Sequence, residues 1–174
     1  MMSLEHYRRG RPIREEITFK AELPIIHPAS RRTLLKGRRG GRRGAVVSRA
    51  EDWLRQGLKD LEHAKRSLEL GDYEWACFAA QQGAEKVVKA LYQRLGVEVW
   101  GYSISHMLEA LPGGHKPSGE LIDKAKELDR HYIPTRYPNF HPEGAPLDYY
   151  SREDARRAVR YAEEIAEYCR SKVL

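Results

Sequence analysis

Arg136 and His141 are the two side chains whose types and spacing could carry chemistry in this 174-residue chain. They lie in the stretch TRYPNFHP, residues 135–142, with four residues between them. A guanidinium stays charged and grips two phosphate oxygens at once, whereas an imidazole accepts or donates a proton near neutral pH. Attack of a ribose 2′-hydroxyl on its own phosphodiester needs such a pair and does not strictly need a metal. The two residues are therefore candidates for catalysis on RNA.

A purely structural interpretation accounts for the same two residues. Arg136 would pair with Asp129 or Glu127 at the end of the preceding helix, and His141 would be a solvated residue in a turn stiffened by two prolines. A single Arg-x4-His match also arises often by chance. Spacing alone leaves both interpretations open.

Aromatic residues surround the candidate pair along the chain. Rings stack on unpaired bases, and side-chain amides bond to base edges or phosphates. The candidate RNA or nucleotide contacts are Tyr132, Tyr137, Asn139 and Phe140. Tyr149 and Tyr150 follow closely and would flank the same cleft.

Segments of helical periodicity must position this loop. They are predicted from a Ser48–Glu51 capping box to Gly71, from Asp72 to Gly96, from Ser103 to Leu111, from Pro117–Ser118 to about Tyr132, and from Ser151 onward. Pro134 forbids continuation of the fourth helix. No segment alternates with a period of two over a useful length. The sequence therefore predicts an all-α, four- to five-helix up-and-down antiparallel bundle.

Two prolines shape the loop between the last two helices. A residue that precedes proline avoids the helical region, so Pro138 and Pro142 push Tyr137 and His141 toward extended conformations. The final helix is thereby delayed to about Ser151.

Charge divides the chain into two parts. Residues 1–47 hold twelve Lys/Arg and four Asp/Glu, whereas residues 48–174 hold 19 and 21. The first part ends in KGRRGGRRG and cannot bury apolar surface, so we expect a flexible extension ahead of a bundle at 48–174. Three interpretations stay open for residues 1–47: a nucleic-acid tether, an extension without a role, or a translation start placed too far upstream.

Several classes of protein are disfavoured by composition. No run of about 18 apolar residues and no signal peptide are seen, so we expect a cytoplasmic protein without a membrane partner. Cys77 and Cys169 are widely separated and are expected to be buried thiols. The histidines show no metal-ligand spacing, and we expect neither a metal nor a cofactor. The single asparagine and the four glutamines are typical of proteins from hot environments.

The apolar face of the second predicted helix is interrupted by a polar patch. The face is traced by Trp75, Phe78, Ala79, Gln82, Val87, Leu91 and Leu95, and the patch lies along it. The patch consists of Gln81, Gln82 and Glu85. Such groups inside a bundle must be hydrogen-bonded. They would either make a structural contact between helices or line a cleft that touches a nucleotide.

Three sequence segments, followed by a terminal helix, resemble the HEPN domain. In chain order they are AEDWLRQGLKDLEHAKRSLELGDYEWACFAAQQGAEKVVKALY, SISHML and LDRHYIPTRYPN. The resemblance runs from Ser48 to about Val173. It implies a helical bundle that forms homodimers and is often encoded beside a small nucleotidyltransferase in a toxin–antitoxin pair. Many members are metal-independent RNases with an R-x(4-6)-H motif, which falls here on Arg136 and His141.

The sequence departs from the family pattern in two places. Tyr137 stands where family RNases have a small polar residue, and the motif does not run directly into the last helix. A subset of the family has RYP here without the histidine. Two functions therefore stay open: a toxin-like endoribonuclease, or a non-catalytic module that binds a nucleotide or a nucleotidyltransferase.

Overall fold

The computed structural model describes residues 48–174, and the predicted basic extension lies outside them. The helices are α1 (Ala50–Leu70), α2 (Tyr73–Arg94), α3 (Ile104–Glu109), α4 (Gly119–Asp129) and α5 (Arg152–Val173). Three short 3-10 turns lie at Gly113–His115, Pro138–Phe140 and Pro146–Asp148. No strand occurs within residues 48–174. The predicted all-α bundle is confirmed.

Helix α2 is the centre of the bundle. It packs against α1 on one side and α5 on the other, and it also contacts α3 and α4. Thirteen of its 22 residues are buried, compared with six of 21 in α1. Alanines make up much of this buried surface, which lets the neighbouring helices approach closely.

Two glycines allow α1 and α2 to cross at close range. A Cβ placed on Gly57 of α1 would lie 2.9 Å from the carbonyl oxygen of Gly83 on α2. A Cβ on Gly83 would lie 2.9 Å from the carbonyl oxygen of Gly57. Backbone therefore packs directly on backbone at this crossing, and only glycine fits on either side.

Helix ends follow local sequence signals at most positions. Ser118 and Ser151 cap α4 and α5 with their side chains, as predicted, and Gly71 ends α1 in the left-handed region at φ 91°. The Ser48–Glu51 capping box is wrong. Arg49 is the N-cap of α1 and makes no side-chain cap bond there; its guanidinium instead pairs with Asp52 at 2.9 Å.

The predicted apolar face of α2 is buried at Ala79, Val87 and Leu91 and half-buried at Phe78, Gln82 and Leu95. The apolar stripe of α5 is buried, and so are the thiols of Cys77 and Cys169. Trp75, predicted on the apolar face of α2, is wrong: 49% of its surface is exposed. It lies on the side of α2 that carries Phe78 and Gln82, and this side is only half-buried, whereas the adjacent Ala76 and Cys77 are fully buried. Within residues 48–174 no helix is long and apolar enough to cross a membrane.

Candidate functional site

The loop with the candidate pair starts at the end of α4. Pro134 has no N–H to donate and its ring clashes with the carbonyl four residues earlier, so the α-helical pattern stops. The chain continues in tight turns, with His131 N–H donating to Leu128 O and Arg136 N–H to Ile133 O. Thr135 is buried, and its hydroxyl donates to the carbonyl oxygen of His131 at 2.6 Å. Together these bonds fix the backbone on which Arg136 stands.

Both residues that precede the loop prolines are extended. Tyr137 has φ −126° and ψ 118°, and His141 has φ −115° and ψ 148°. The predicted effect of Pro138 and Pro142 is confirmed, and α5 begins only at Arg152. The delay leaves His141 on a loop that is separate from the last helix.

Arg136 is held by its own loop and by three aromatic rings. Its Nε and Nη2 atoms donate to the carbonyl oxygen of Tyr132 at 3.0 and 2.8 Å. The guanidinium carbon lies 4.4 Å from the ring centre of Phe78, 5.0 Å from that of Tyr132 and 5.1 Å from that of Tyr137. A guanidinium has five N–H donors. The two on Nη1 and one on Nη2 make no hydrogen bond within residues 48–174, so the outer edge of the fork is available to an anion.

The expected acidic partners of Arg136 are engaged elsewhere, and this part of the structural interpretation is wrong. The Asp129 carboxylate accepts from the backbone N–H groups of Ile104 and Ser105 at 2.7 and 3.1 Å. Glu127 pairs with Arg157 of α5. Arg136 is therefore not neutralised by a carboxylate within the described part of the chain.

His141 is also held by the protein backbone. Its Nε2 atom lies 2.8 Å from the carbonyl oxygen of Pro134. The imidazole stacks on Tyr149, with ring centres 4.1 Å apart and planes at 19°, and Tyr150 meets it edge-on at 6.5 Å. The hydroxyl of Tyr149 donates to the carbonyl oxygen of Glu143 at 2.5 Å. The ring orientation of His141 is thus set by one hydrogen bond and two aromatic neighbours.

The two anchors are close in the chain. Arg136 is bonded to the carbonyl of Tyr132 and His141 to that of Pro134. Residues two apart have Cα atoms at most about 7 Å apart. The loop therefore returns on itself so that the guanidinium and the imidazole are both fixed to one short piece of backbone.

The other predicted contact residues lie in different environments. Tyr132 is half-buried and stacks on Tyr102 with ring centres 4.6 Å apart. Tyr137 and Phe140 are 46% and 48% exposed. Asn139 is exposed, and its side chain makes no hydrogen bond within residues 48–174.

Three aromatic residues that contact Arg136 or its aromatic neighbours were not among the predicted site residues. Phe78 of α2 covers the guanidinium, Trp75 meets Phe78 edge-on at 5.9 Å, and Tyr102 stacks on Tyr132. Trp75 and Phe78 were predicted on the apolar face of α2, because helical periodicity does not show which part of a broad apolar face the other helices cover. The run Tyr73, Trp75 and Phe78 in the first two turns of α2 is the signal that would have found Trp75 and Phe78.

A second histidine lies behind the loop. His131 is buried, and burial lowers its pKa. Its ring meets that of Tyr150 edge-on at 5.7 Å. Burial also raises the pKa of the Tyr150 hydroxyl to about 12. Both groups are therefore neutral at pH 7, and the ring of Tyr150 contacts both His131 and His141.

The polar patch on α2 is a satisfied network. The Gln81 amide donates to Glu85 at 3.4 Å and to the carbonyl oxygen of Tyr102 at 3.2 Å. Gln82 donates to Gln81 and Glu85, and Lys89 pairs with Glu85 at 2.7 Å. These contacts favour the structural interpretation, since the patch ties α2 to the turn that leads into α3.

A groove of about 800 Å³ runs along α1 and α2, and none of its lining residues belongs to the loop. Trp53 forms part of its wall, with the Lys89 ammonium 5.7 Å from the ring centre. Its cations are largely balanced by acids, in the pairs Arg49–Asp52, Lys59–Glu62 and Lys86–Asp60. Three of the four lining cations are thereby paired, and Arg55 makes no ion pair within residues 48–174. Nowhere in residues 48–174 do three or more His, Cys, Asp or Glu side chains form a group that could hold a metal ion.

The fold and the loop together define a class: an all-α bundle with an arginine and a histidine on the connection to its last helix. The chain matches the HEPN domain over residues 50–172, and it belongs to the HEPN family. The predicted family is confirmed.

Solved structures from this family are similar over the same region. TT1696 from Thermus thermophilus is 45% identical, with a TM-score of 0.71, over 72% of this chain and 99% of its own. ST0689, an archaeal HEPN homologue, is 40% identical with a TM-score of 0.62, over 72% and 98%. The HEPN domain protein tm0613 from Thermotoga maritima is 43% identical with a TM-score of 0.57, over 69% and 95%.

One relative that is similar in sequence has a name that suggests a function. The Methanocaldococcus jannaschii protein named "Putative toxin MJ1304" is 27% identical over 133 residues, which cover 71% of this chain and 88% of the relative.

Proposed function

We propose that the Arg136–His141 loop binds RNA or a nucleotide and that the protein cleaves RNA without a metal, as the toxin-like member of a pair with a nucleotidyltransferase. One observation carries the proposal. Nε and Nη2 of Arg136 bond to the carbonyl oxygen of Tyr132, and Nε2 of His141 bonds to that of Pro134, two residues further on. The remaining N–H groups of the guanidinium, which form its outer edge, and Nδ1 of the imidazole are left for a ligand. The toxin name of the M. jannaschii relative agrees with this assignment.

The chemistry needs no external reactant. His141 takes the proton of the 2′-hydroxyl, the 2′-oxygen forms a bond to the adjacent phosphorus, and the bond from phosphorus to the 5′-oxygen breaks. A second acid protonates the departing 5′-oxygen, so the products are a 2′,3′-cyclic phosphate and a 5′-hydroxyl. The outer edge of Arg136 stabilises the charge that develops on the phosphate oxygens.

We further propose that two copies act together in the cytoplasm as a homodimer. Each loop holds one candidate base, and a symmetric dimer supplies the second acid from the partner loop. Exchanging wild-type subunits with His141→Ala subunits tests this arrangement. We expect cleavage to fall with the square of the wild-type fraction, because only a dimer of two wild-type subunits carries both histidines; a fall in simple proportion to the wild-type fraction would contradict it.

The enzymatic proposal is tested with purified full-length protein and total RNA in EDTA. We expect cleavage by the wild type and a loss of at least about 100-fold for His141→Ala and Arg136→Ala, as for removal of an acid–base group or a charge-stabilising donor. His63→Ala and Arg130→Ala are matched controls, because both side chains are exposed and lie outside the pair. Equal degradation by all five proteins would reveal a contaminating nuclease and contradict the proposal.

A non-catalytic module is the second candidate. It is favoured by the anchoring itself, since three rings and a carbonyl hold Arg136 as they would hold a structural arginine. In that case the bundle docks a nucleotidyltransferase or binds a nucleotide. The same variants would then co-purify with the partner as well as the wild type does, and no cyclic phosphate would form at any pH.

A further inference from the structure

We propose that Nδ1 of His141 is the atom that exchanges the proton with RNA, and that Tyr149 is the positioning residue that holds the ring in this orientation. The inference rests on the proposed function for its catalytic meaning. Its structural part, the tautomer, stands on contacts within the protein alone.

The tautomer follows from the partner of Nε2. A carbonyl oxygen only accepts hydrogen bonds, so the nitrogen that faces Pro134 O at 2.8 Å must carry the hydrogen. A neutral imidazole has one N–H, and the lone pair of His141 is therefore on Nδ1. In the imidazolium form Nε2 keeps the same bond. Protons consequently enter and leave through Nδ1.

Nδ1 is open to a substrate. It makes no hydrogen bond to any residue of 48–174, and it is not among the buried polar atoms that lack a partner. Within residues 48–174 the contacts of His141 are with Pro134, Tyr149 and Tyr150, and none of them is with a carboxylate. A backbone carbonyl therefore takes the orienting role that an aspartate has in many acid–base sites.

Tyr149 restricts the ring to this orientation. Its ring lies parallel to the imidazole at 4.1 Å, and its hydroxyl is tied to the carbonyl of Glu143. The Asp148 carboxylate accepts from the backbone N–H of Ala145 at 2.9 Å, and Gly144 turns the chain at φ 72°. Tyr149 thus belongs to a small, hydrogen-bonded turn, and its aromatic ring covers one face of the His141 imidazole.

The tautomer is tested by the nitrogen chemical shifts of the imidazole in full-length protein labelled with 15N-histidine. The spectrum is recorded at a pH at which the ring is neutral, and His141→Ala assigns the signals. We expect a shift typical of an unprotonated nitrogen at Nδ1 and of a protonated nitrogen at Nε2. The reverse pattern would overturn the assignment. This readout needs no cleavage, so it stays decisive even if the wild type proves inactive.

The positioning role is tested with two variants of Tyr149. Tyr149→Phe keeps the stacked ring and loses only the bond to Glu143. Tyr149→Ala removes the stacked ring. Since the residue is 41% exposed, we expect the fold to be retained, which circular dichroism checks. For Tyr149→Ala we expect averaging of the two nitrogen shifts as tautomers exchange, and a drop in kcat of about 10-fold with KM unchanged.

Tyr149→Phe should retain the nitrogen shifts and a kcat within about twofold of the wild type. Tyr161→Ala on α5 is the control for loss of a tyrosine outside the loop. A Tyr149→Ala protein with the wild-type nitrogen shifts and kcat would refute the role of Tyr149. Absence of cleavage by the wild type would contradict the proposed function, and the shifts would still decide the tautomer.

Discussion

Arg136 and Tyr132 are bound to each other twice: the guanidinium donates two hydrogen bonds to the Tyr132 carbonyl and lies 5.0 Å from the centre of the Tyr132 ring. One residue thus supplies both an acceptor and an aromatic face to the same cation. The arrangement needs a planar fork, which lysine does not have.

Replacement of Arg136 by lysine should therefore damage both the loop and the site. We expect a loss of about 1–2 kcal/mol in the free energy of unfolding, from the charged hydrogen bonds and the ring contacts. Affinity for RNA should fall about tenfold, because a lysine cannot hold two phosphate oxygens. Arg130→Lys, on an exposed neighbour, is the control. Urea unfolding and fluorescence anisotropy measure the two effects, and unchanged RNA affinity would exclude a bidentate phosphate contact.

Tyr137 separates binding from stability. Residue Tyr137 is 46% exposed, and its ring contacts Arg136 at the protein surface. Tyr137→Ala should therefore leave the unfolding curve nearly unchanged. Loss of a base-stacking ring should weaken single-stranded RNA binding by about 1–3 kcal/mol. Leu147→Ala removes another exposed apolar side chain and should bind normally. Equal affinity of the two variants would argue against stacking on Tyr137.

Asp129 holds the start of α3 in place. Its carboxylate accepts from two backbone N–H groups and from the hydroxyls of Ser103 and Ser105. Asparagine can accept through one oxygen only, so Asp129→Asn should destabilise the protein by about 1–3 kcal/mol. Asp123→Asn, at an exposed pair with Lys126, should be close to neutral. Thermal unfolding compares them, and equal melting temperatures would contradict the role of Asp129.

The glycine crossing between α1 and α2 predicts a strong effect of one methyl group. Gly83→Ala places a Cβ 2.9 Å from a backbone oxygen that cannot move without shifting α1. We expect destabilisation of about 1–3 kcal/mol, although alanine has the higher helix propensity. Gly119→Ala is the matched control, since nothing lies within 4 Å of its Cβ. Chemical denaturation measures the two stabilities, and equal stability of both variants would refute the predicted steric clash at the crossing.

His131 predicts a pH dependence of stability. Burial lowers its pKa from 6.5, so the unfolded chain binds a proton that the folded chain excludes once the pH falls below about 6.5. Stability from this group is complete above pH 6.5 and falls with acidification, by at most about 1.4 kcal/mol per pH unit. His131→Gln should flatten the dependence below about pH 6.5, and His63→Gln should not. Parallel curves for wild type and His131→Gln would disprove the burial effect.

The loop shows which features could be predicted from neighbouring residues in the sequence. Pro134 and Pro138 act within one or two residues, so the end of α4 and the extended backbone of Tyr137 could be predicted from the chain alone. The partners of Arg136 could not be. Asp129 and Glu127 were plausible by distance along the chain, but α3 and α5 compete for these carboxylates, and that competition exists only in the folded bundle.

Periodicity and proline placement determined the helices, their order and the position of the loop, because these depend on contacts within a few residues. The nearest neighbours of the candidate pair depended on where helices end in space. Phe78 of α2 reaches the guanidinium, and Tyr102, which precedes α3, stacks on Tyr132; both contacts span long stretches of chain. Trp75 is exposed on a side of α2 that is only half-buried at Phe78 and Gln82. Sequence thus determined which groups the loop carries, and tertiary packing decided which edges of them face outward, since each edge is either taken by a neighbour or left free.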